Sequence, residues 1–583
     1  MSAPGSDAVQ VRTEDNPADR SRPWRAVWIL FLIWLAIFAI RLASPDDIAD
    51  RDQQRPVAYA LDILRNGNWL VQTDWRDDIT SKPPLYTWLV SILSLPGDRV
   101  TQLTLYLPTG LAMLGVALLV NWAGRKWFSP AAGFLGALAC LLTMATAKHV
   151  ALARTDALFA FTVTLAALLA YRAWSRGGGW TCFWLAAAAA TLTKGPLGVL
   201  LALFGLLAVV WEKRSGRPAP LRGSHLLGVC LFLLITGGWF AAAYLQMGQP
   251  LIDKMMGREL VRHAVGGESE RMPGSGFYKP TLYYLSRLAP WSVFAFIGLW
   301  RVLKRPETDD RRRRLERFCF CWMVGGIVLF SFASRQRPDH ILPLMAAGSL
   351  LAGRELADLA AAFKPRTRQA LLTAACAIAL IGFYVGYHHL RPTNKFDLER
   401  SAWMVDLADQ LNQASDGSPP VTHLHHTFAL QHHLNTMWRK PSYERAAALL
   451  ESEDAAYIAV RFDDELATHL SDPEGVYEVM RVPAEGVADL LILGNRPTID
   501  QSGPVAMLMG ALRVRMEDVR LKGARSGVKI FESLSPDASL TIANELENTE
   551  TVRVRIRTHD GVVENHRVHL SAGETWRWRA SGG

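Results

Sequence analysis

Apolar residues arrive in blocks, mostly of about 16 to 22, up to roughly residue 390, about the length that crosses a bilayer core as a helix. The blocks predict spans over residues 26–43, 101–122, 130–148, 155–173, 180–193, 196–211, 224–246, 281–303, 318–333, 339–356 and 369–389, about eleven in all. The first apolar run, Val27 to Ile40, follows the basic residues Arg12, Arg20, Arg22 and Arg25. Asp46 and Asp47 come soon after it, with no small-residue cleavage site between, so it reads as an uncleaved span.

Beyond residue 390 the pattern changes. Within 401–495, the helical stretch SYERAAALLES alternates with short apolar strands, AAYIAV and ADLLILG, an α/β signature. Within 526–580, SLTIANE, TVRVRIR and HRVHL alternate apolar and polar positions, and Asp560-Gly561 is a turn. That is a hairpin-rich β module. The predicted organisation is a short tail (1–25), a polytopic helical body (26–390) with large loops at 44–100 and 247–280, an α/β region (391–500) and a β-rich module (501–583).

Composition agrees with a membrane protein: half of the 583 residues are apolar and 20 are Trp. The net charge of +9 would suit nucleic acid, but its placement points elsewhere. Arg125/Lys126, Arg172/Arg176, Lys213/Arg214/Arg217, Arg311 to Arg314 with Arg317, and Lys364/Arg366/Arg368 sit in short segments between spans. They follow the positive-inside bias, which puts the N-terminus in the cytoplasm and, with an odd number of spans, the C-terminal region on the opposite side, the periplasm of a Gram-negative cell or the exterior otherwise. The Arg311–Arg314 run is then a topology determinant near anionic head groups. No nucleic-acid partner is expected. The cysteines (Cys140, Cys182, Cys230, Cys319, Cys321, Cys376) all lie in apolar segments, which excludes a disulfide framework. Cys319 and Cys321 read as small buried hydrophobes rather than a metal pair.

The loop from residue 44 to 100 is the richest in chemistry. Ala58 to Leu64 is amphipathic and predicts a helix lying along the membrane surface, stopped at Gly67. Pro83 and Pro84 force an extended entry into the next helical segment. Lys82, just ahead of them, either meets a lipid phosphate or snorkels to head groups. Further ionisable residues stand at span ends on the same side: Arg154 and Asp156, Lys194, Glu259 with Arg262 and His263, and Arg335, Arg337, Asp339 and His340. Charges at membrane depth pair with one another or line a cavity. Many cations with two acids, Asp52 and Asp156, suit a phosphate group and a general base.

These residues carry a resemblance. Asp52-Gln53-Gln54-Arg55, Tyr59-Ala60, Asn66-Gly67-Asn68-Trp69-Leu70 and Lys82-Pro83-Pro84-Leu85-Tyr86-Thr87-Trp88-Leu89 look like the first periplasmic loop of the polyprenyl-phosphate-sugar-dependent glycosyltransferases. That group includes the aminoarabinose transferases that modify lipid A and, more distantly, the protein O-mannosyltransferases. Arg154-Thr155-Asp156, Leu192-Thr193-Lys194-Gly195-Pro196, Tyr283-Tyr284, Pro290-Trp291 and Arg337 through Pro343 extend the match to about residue 360. The resemblance implies a GT-C fold in a bacterial inner membrane, and sugar transfer with inversion from a polyprenyl-phosphate donor to a lipid or protein acceptor. It casts Asp52 as the base and Asp156 as the second loop acid. Lys82, Arg55, Lys194, Arg337 and His340 would surround the donor phosphate. Tyr59, Tyr86, Glu259, Arg262, His263, Tyr283 and Tyr284 would line the substrate cavity. A phosphate leaving group gains negative charge as its bond to the sugar breaks, so fixed cations favour the transition state over the ground state.

The chain departs from the pattern in places. Gln53 stands where relatives usually have Glu, and His340-Ile341 precedes the Leu-Pro where aminoarabinose transferases usually have Tyr. Ser81 replaces an acid able to hold a divalent metal, so no metal ligands are assigned and a divalent cation stays an open, weakly supported alternative. The tail histidines His423, His425, His426, His432 and His433 match no standard metal spacing and read as structural. The rival reading is a transporter or flippase for a polyprenyl-linked sugar, which would place charges near mid-span rather than at span ends.

Overall fold

The computed structural model describes residues 22–44, 51–255, 257, 276–334, 336–390, 408–409, 421–423, 428–452, 456–461, 465–471, 476–482, 490–495, 506–509, 512–517, 519–525, 528–544, 550–571 and 573–580. Two compact units emerge. One comprises Met1–Ser44, Ser81–Tyr86 and Tyr106–Leu390; the other comprises Pro45–Thr80, Thr87–Leu105 and Arg391–Gly583.

The helices in chain order are α1 (Arg22–Leu42), α2 (Arg51–Asn66), α3 (Leu85–Ser94), α4 (Gln102–Trp127), α5 (Pro130–Leu141), α6 (Met144–His149), α7 (Asp156–Arg176), α8 (Trp180–Lys194), α9 (Leu197–Leu203) and α10 (Leu207–Arg214). There follow α11 (Leu226–Phe232), α12 (Gly238–Met247), α13 (Gln249–Ile252), α14 (Lys279–Arg287), α15 (Ser292–Lys304), α16 (Asp310–Phe332), α17 (Met345–Ala361) and α18 (Pro365–Val385). Among the described residues, six helices are long and apolar enough to cross a membrane: Trp24–Leu42, Gln102–Trp127, Asp156–Arg176, Leu226–Met247, Asp310–Phe332 and Pro365–Leu390. The remaining predicted spans are helical but shorter or interrupted. The 130–148 block divides where Thr143 caps α6 with its hydroxyl, and the 281–303 block divides at Pro290, which has no N–H to continue a helix. The 339–356 block opens as a 3₁₀ turn, Pro338–Leu344, before α17.

Small residues set the helix spacing in this unit. A Cβ on Gly353 of α17 would come within 2.3 Å of the Ala132 carbonyl of α5, and one on Gly136 within 2.6 Å of the Ser349 carbonyl. The two backbones therefore touch, as small-residue interfaces in membranes allow. The arginine run at 311–314 also makes internal contacts. Asp309 caps α16 with its side chain, and Arg313, only 2% exposed, turns inward. Arg313 Nη2 donates to Glu212 Oε2 at 3.2 Å and Arg317 Nη1 to Glu212 Oε1 at 2.9 Å. Arg354 donates to the equally buried Glu316. The run was expected to face lipid head groups; one of its members instead latches α10 to α16, because Glu212 is fully buried there and needs counter-charge.

In the other unit, α2 is amphipathic as expected, and Gly67 ends it at φ +70°. Its apolar face does not lie open to lipid. Val57, Ala58, Ala60 and Leu61 are fully buried, and α2 packs on α19 (Phe428–Leu434). Arg99 donates to the His433 carbonyl at 3.1 Å, Asn435 to the Asp98 carbonyl at 2.6 Å, and Lys440 N to the Trp75 carbonyl at 2.8 Å. The 51–80 and 87–105 segments thus join the C-terminal chain in one unit. A four-stranded sheet follows, ordered β1 (Val421–His423), β2 (Tyr457–Arg461), β4 (Leu490–Gly494), β3 (Tyr477–Val482), against α20 (Tyr443–Leu450). The last part is a sandwich of two four-stranded sheets. One is ordered β11 (Val563–Leu570), β10 (Glu550–Arg557), β8 (Val528–Ser533), β7 (Val519–Arg525). The other is ordered β12 (Thr575–Arg579), β9 (Ser539–Asn544), β6 (Leu512–Glu517), β5 (Ala506–Met509). Phe531, Val554 and Ile556 from the first meet Leu540, Ile542 and Trp578 from the second.

Replacing Glu212 by Ala leaves Arg313 and Arg317 without their shared counter-ion. Loss of one partner of a buried pair typically lowers stability by about 3 to 5 kcal/mol, so the variant's melting temperature in detergent should fall well below that of a surface control, Asp537→Ala.

Candidate active site

The best-defined charged centre of the first unit forms where the chain must leave one apolar helix and enter another. Asp339 sits on the 3₁₀ turn, 11% exposed, between Arg337 and His340. Its Oδ1 accepts from Lys148 Nζ at 2.6 Å and lies 3.2 Å from His149 Nε2, while Oδ2 accepts from Arg154 Nη1 at 3.3 Å. Lys148 and His149 are the last residues of α6, and Arg154 lies in the short link to α7. Asp156 opens α7 and is ion-paired to Lys194, the last residue of α8. Lys194 also stands 5.6 Å over the Phe159 ring. A helix start and a helix end thus supply the acid and the cation.

Neighbouring groups hold this centre still. His149 Nδ1 faces the Ala145 carbonyl at 2.8 Å, so its Nε2 is directed at the carboxylates. Arg41, 3% exposed, donates to the Ala151 carbonyl at 3.0 Å, and its guanidinium lies 3.9 Å from the Tyr387 ring centre. Trp291 donates to the Leu142 carbonyl at 2.8 Å. Burial works to raise the Asp339 carboxyl, but His149 and Lys148 outweigh it and hold the group well below the usual carboxylate range. His340 is pushed down to about 4, first by burial and then by the nearby Lys194 charge. It therefore stays neutral at neutral pH.

Among the sequence-predicted residues, the structure brings together Asp156, Lys194 and His340, with Arg337 close enough to act on His340 electrostatically. Lys82 is half-buried immediately before Pro83 and Pro84, which are both buried and lead into α3. Tyr86 is fully buried, and Tyr283 is half-buried. Tyr284 is sealed into a packing contact: a Cβ on Gly348 would overlap its hydroxyl, and its ring lies 5.9 Å edge-on from Phe296. That places it inside the helix packing rather than on a cavity wall. Glu259, Arg262 and His263 lie outside the described residues, as do Arg335, His425 and His426. Lys148 and His149 escaped the sequence reading; their signal was a Lys-His pair closing an apolar block on the Asp156 side.

The second unit carries its own part of the motif. Asp52 and Arg55 lie three residues apart on α2, one helical turn; the Asp52 side chain is outside the described residues. Arg55, 45% exposed, faces Asp74 at 3.8 Å and Asp78 at 3.9 Å. Burial raises the Asp74 carboxyl above its ordinary value. Tyr59 is 6% exposed within the apolar face of α2. The Asn66-Gly67-Asn68-Trp69 motif has a local reason. Buried Asp62 accepts from Asn66 Nδ2 at 2.8 Å, Asn68 Nδ2 at 2.9 Å and Thr73 N at 2.8 Å, folding the chain back after Gly67. Trp88 Nε1 then reaches the Trp69 carbonyl at 2.6 Å. His432 in α19 is buried and pushed down to about 3, first by that burial, consistent with packing.

The divalent metal that the resemblance allows fits poorly here. Ser81 offers no carboxylate, and the described residues hold one group of suitable donors, His149, Asp156 and Asp339, whose ligand atoms lie within 4.8 Å of one another. Both carboxylates already face protein cations: Lys194 on one, Lys148 and Arg154 on the other. Unit charges about 4 Å apart interact by roughly 4 kcal/mol at an effective dielectric near 20, so three fixed cations oppose a dication strongly. The centre suits an anion better than a metal.

The family described as dolichyl-phosphate-mannose-protein mannosyltransferase matches residues 81–239. An undecaprenyl phosphate-α-4-amino-4-deoxy-L-arabinose arabinosyl transferase of Pseudomonas fluorescens is 23% identical over 316 residues, 52% of this chain and 53% of that protein. One from Sodalis glossinidius is 26% identical over 318 residues, covering 53% of this chain and 55% of that protein. The chain spans about half the length of these curated relatives. The crystal structure of ArnT from Cupriavidus metallidurans bound to undecaprenyl phosphate superimposes with a TM-score of 0.62, at 17% identity, over 83% of this chain and all of that one.

His340 gives the centre a pH signature. Its folded value lies below the 6.5 of a free histidine, so the unfolded chain takes up a proton first as pH falls. Stability present above pH 6.5 is therefore lost progressively toward about pH 4. Thermal melts across that window should show a steeper fall for the wild type than for His340→Gln; parallel slopes would contradict the burial of a neutral imidazole.

Proposed function

We propose that the chain is a GT-C-type polyprenyl-phosphate-sugar glycosyltransferase, transferring a sugar from a polyprenyl-phosphate donor to a lipid or protein acceptor, a reading supported by its similarity to the mannosyltransferase family model and to the arabinosyl transferases. The observation that carries this is the fixed cationic centre at the helix ends, Lys148, Arg154 and Lys194 around Asp156 and Asp339. Ammonium and guanidinium groups preset in a low-dielectric pocket stabilise charge that develops on a departing phosphate, without reorganisation during the reaction.

Asp52 removes a proton from the acceptor hydroxyl. The freed oxygen attacks the anomeric carbon from the side opposite the phosphate, and the carbon–oxygen bond to the phosphate breaks with both electrons leaving on oxygen. The sugar inverts, and the lipid phosphate gains a negative charge. Lys82, Arg55, Lys194 and Arg337 receive that charge, with His340 as a neutral hydrogen-bonding partner. The reading places the chain as a multi-pass protein in a bacterial inner membrane, its N-terminus cytoplasmic and the reacting loops and C-terminal region periplasmic. Charges gathered at helix ends favour this over translocation, which needs them along the path.

General-base removal typically slows transfer by about 10² to 10⁴. Asp52→Asn should therefore leave an inserted, folded protein with transfer of labelled sugar from a synthetic polyprenyl-phosphate donor reduced at least that far; near-normal transfer would sink the role. Lys82→Ala should mainly raise the donor concentration giving half-maximal rate, measured in the same assay, and an unaltered donor dependence would remove Lys82 from the phosphate site.

A further inference from the structure

The sandwich at the end of the chain has a face that sugar transfer leaves without a role. Strand β10 reads Glu-Thr-Val-Arg-Val-Arg-Ile-Arg. Its alternation sends Val552, Val554 and Ile556 into the core and leaves Arg553, Arg555 and Arg557 exposed on the outside. Strand β11 pairs with it antiparallel and adds exposed Arg567 and His569. Residues two apart on a strand stand about 6.7 Å apart and adjacent strands about 4.8 Å, so four guanidinium groups share a small flat area.

The arrangement has an energetic cost. Arg553 lies directly opposite Arg567 in the register, and like charges facing across strands are destabilising. Arg555 is steadied by Asn565, its Nε donating to Oδ1 at 2.8 Å. One acid, Glu532 of β8, stands opposite Arg557 in the register, against four arginines; the other nearby described carboxylates are engaged elsewhere. Glu564 alternates to the inner side, where it accepts from Trp578 Nε1 at 2.8 Å and lies 3.0 Å from His566 Nε2. Asp560 sits in the turn, bonded by Thr558, and Glu574 accepts from Ser571 N.

A flat face with regularly spaced cations complements an extended anionic surface better than a small enclosed ligand. The chain is tethered to one, because the sandwich follows in sequence Pro365–Leu390, the last helix among the described residues that is long and apolar enough to cross a membrane. We propose that the β10–β11 face docks on the anionic phosphate head groups of the bilayer that holds the chain. Lipid attraction gives the strand a reason to keep three exposed arginines on one side. The docking does not require the transfer chemistry.

The full-length protein is reconstituted in nanodiscs of phosphatidylcholine, with or without phosphatidylglycerol, and arginine modification by phenylglyoxal is followed by mass spectrometry. Each basic residue near an anionic leaflet contributes roughly a five-fold effect, so labelling at Arg553, Arg555, Arg557 and Arg567 should slow at least about that much in the anionic discs. High salt should reverse it. Arg577 and Arg579, exposed on β12 in the other sheet, serve as internal references and should not change. In Arg553→Gln/Arg555→Gln/Arg557→Gln the protection of Arg567 should vanish. Arg567→Gln alone should raise the melting temperature by removing the facing charge. Equal labelling in both discs, equal protection of the reference arginines, protection by a soluble oligonucleotide but not by anionic lipid, or destabilisation by Arg567→Gln would each overturn the docking.

Discussion

A carboxylate at the end of an apolar helix must be paired or solvated, and Asp339 is paired on three sides. Much of the first unit's charged centre follows from that requirement. Lys148 and His149 end α6, Arg154 sits in the link before α7, and the 3₁₀ turn brings Asp339 to all of them. Asp156 and Lys194 repeat the solution a few ångströms away. With two carboxylates against three permanent cations, the surplus is positive, and a positive surplus in a weakly screened site selects anions.

The sequence revealed the helical body because hydrophobic block length is a strong physical constraint, and it revealed Asp156, Lys194 and His340 because isolated ions at block ends stand out. It hid Lys148 and His149, which look like an ordinary polar end to an apolar run until Asp339 is placed beside them. Only tertiary structure supplies that juxtaposition, since 191 positions separate Lys148 from Asp339. The span count was less legible for a related reason. Hydropathy registers apolar length and does not register breaks, so Thr143 and Pro290 could divide helices inside blocks that read as continuous.

The first loop behaves in a similar way. Its amphipathic helix was evident from the pattern, but an apolar face says only that it must be covered, not by which partner. Here protein covers it, α19 among the elements that do so, and the loop is tied to the C-terminal chain through Trp75, Asp98 and Arg99. The arginine run at 311–314 shows the converse. A charge cluster that satisfies a topology rule can still commit one member to an internal ion pair, as Arg313 does with Glu212.

The cationic centre also bears on the release of product. A site that stabilises a departing phosphate binds the spent lipid carrier more tightly than the sugar ester it replaced, because the carrier bears the extra charge. On the proposed assignment, turnover is then governed by exchange of carrier lipids in the plane of the bilayer rather than by bond cleavage, the usual situation where product departure limits the cycle. On that assignment Asp156 and Asp339, which neutralise part of the surplus, would set how readily the carrier leaves as well as hold the cations in place.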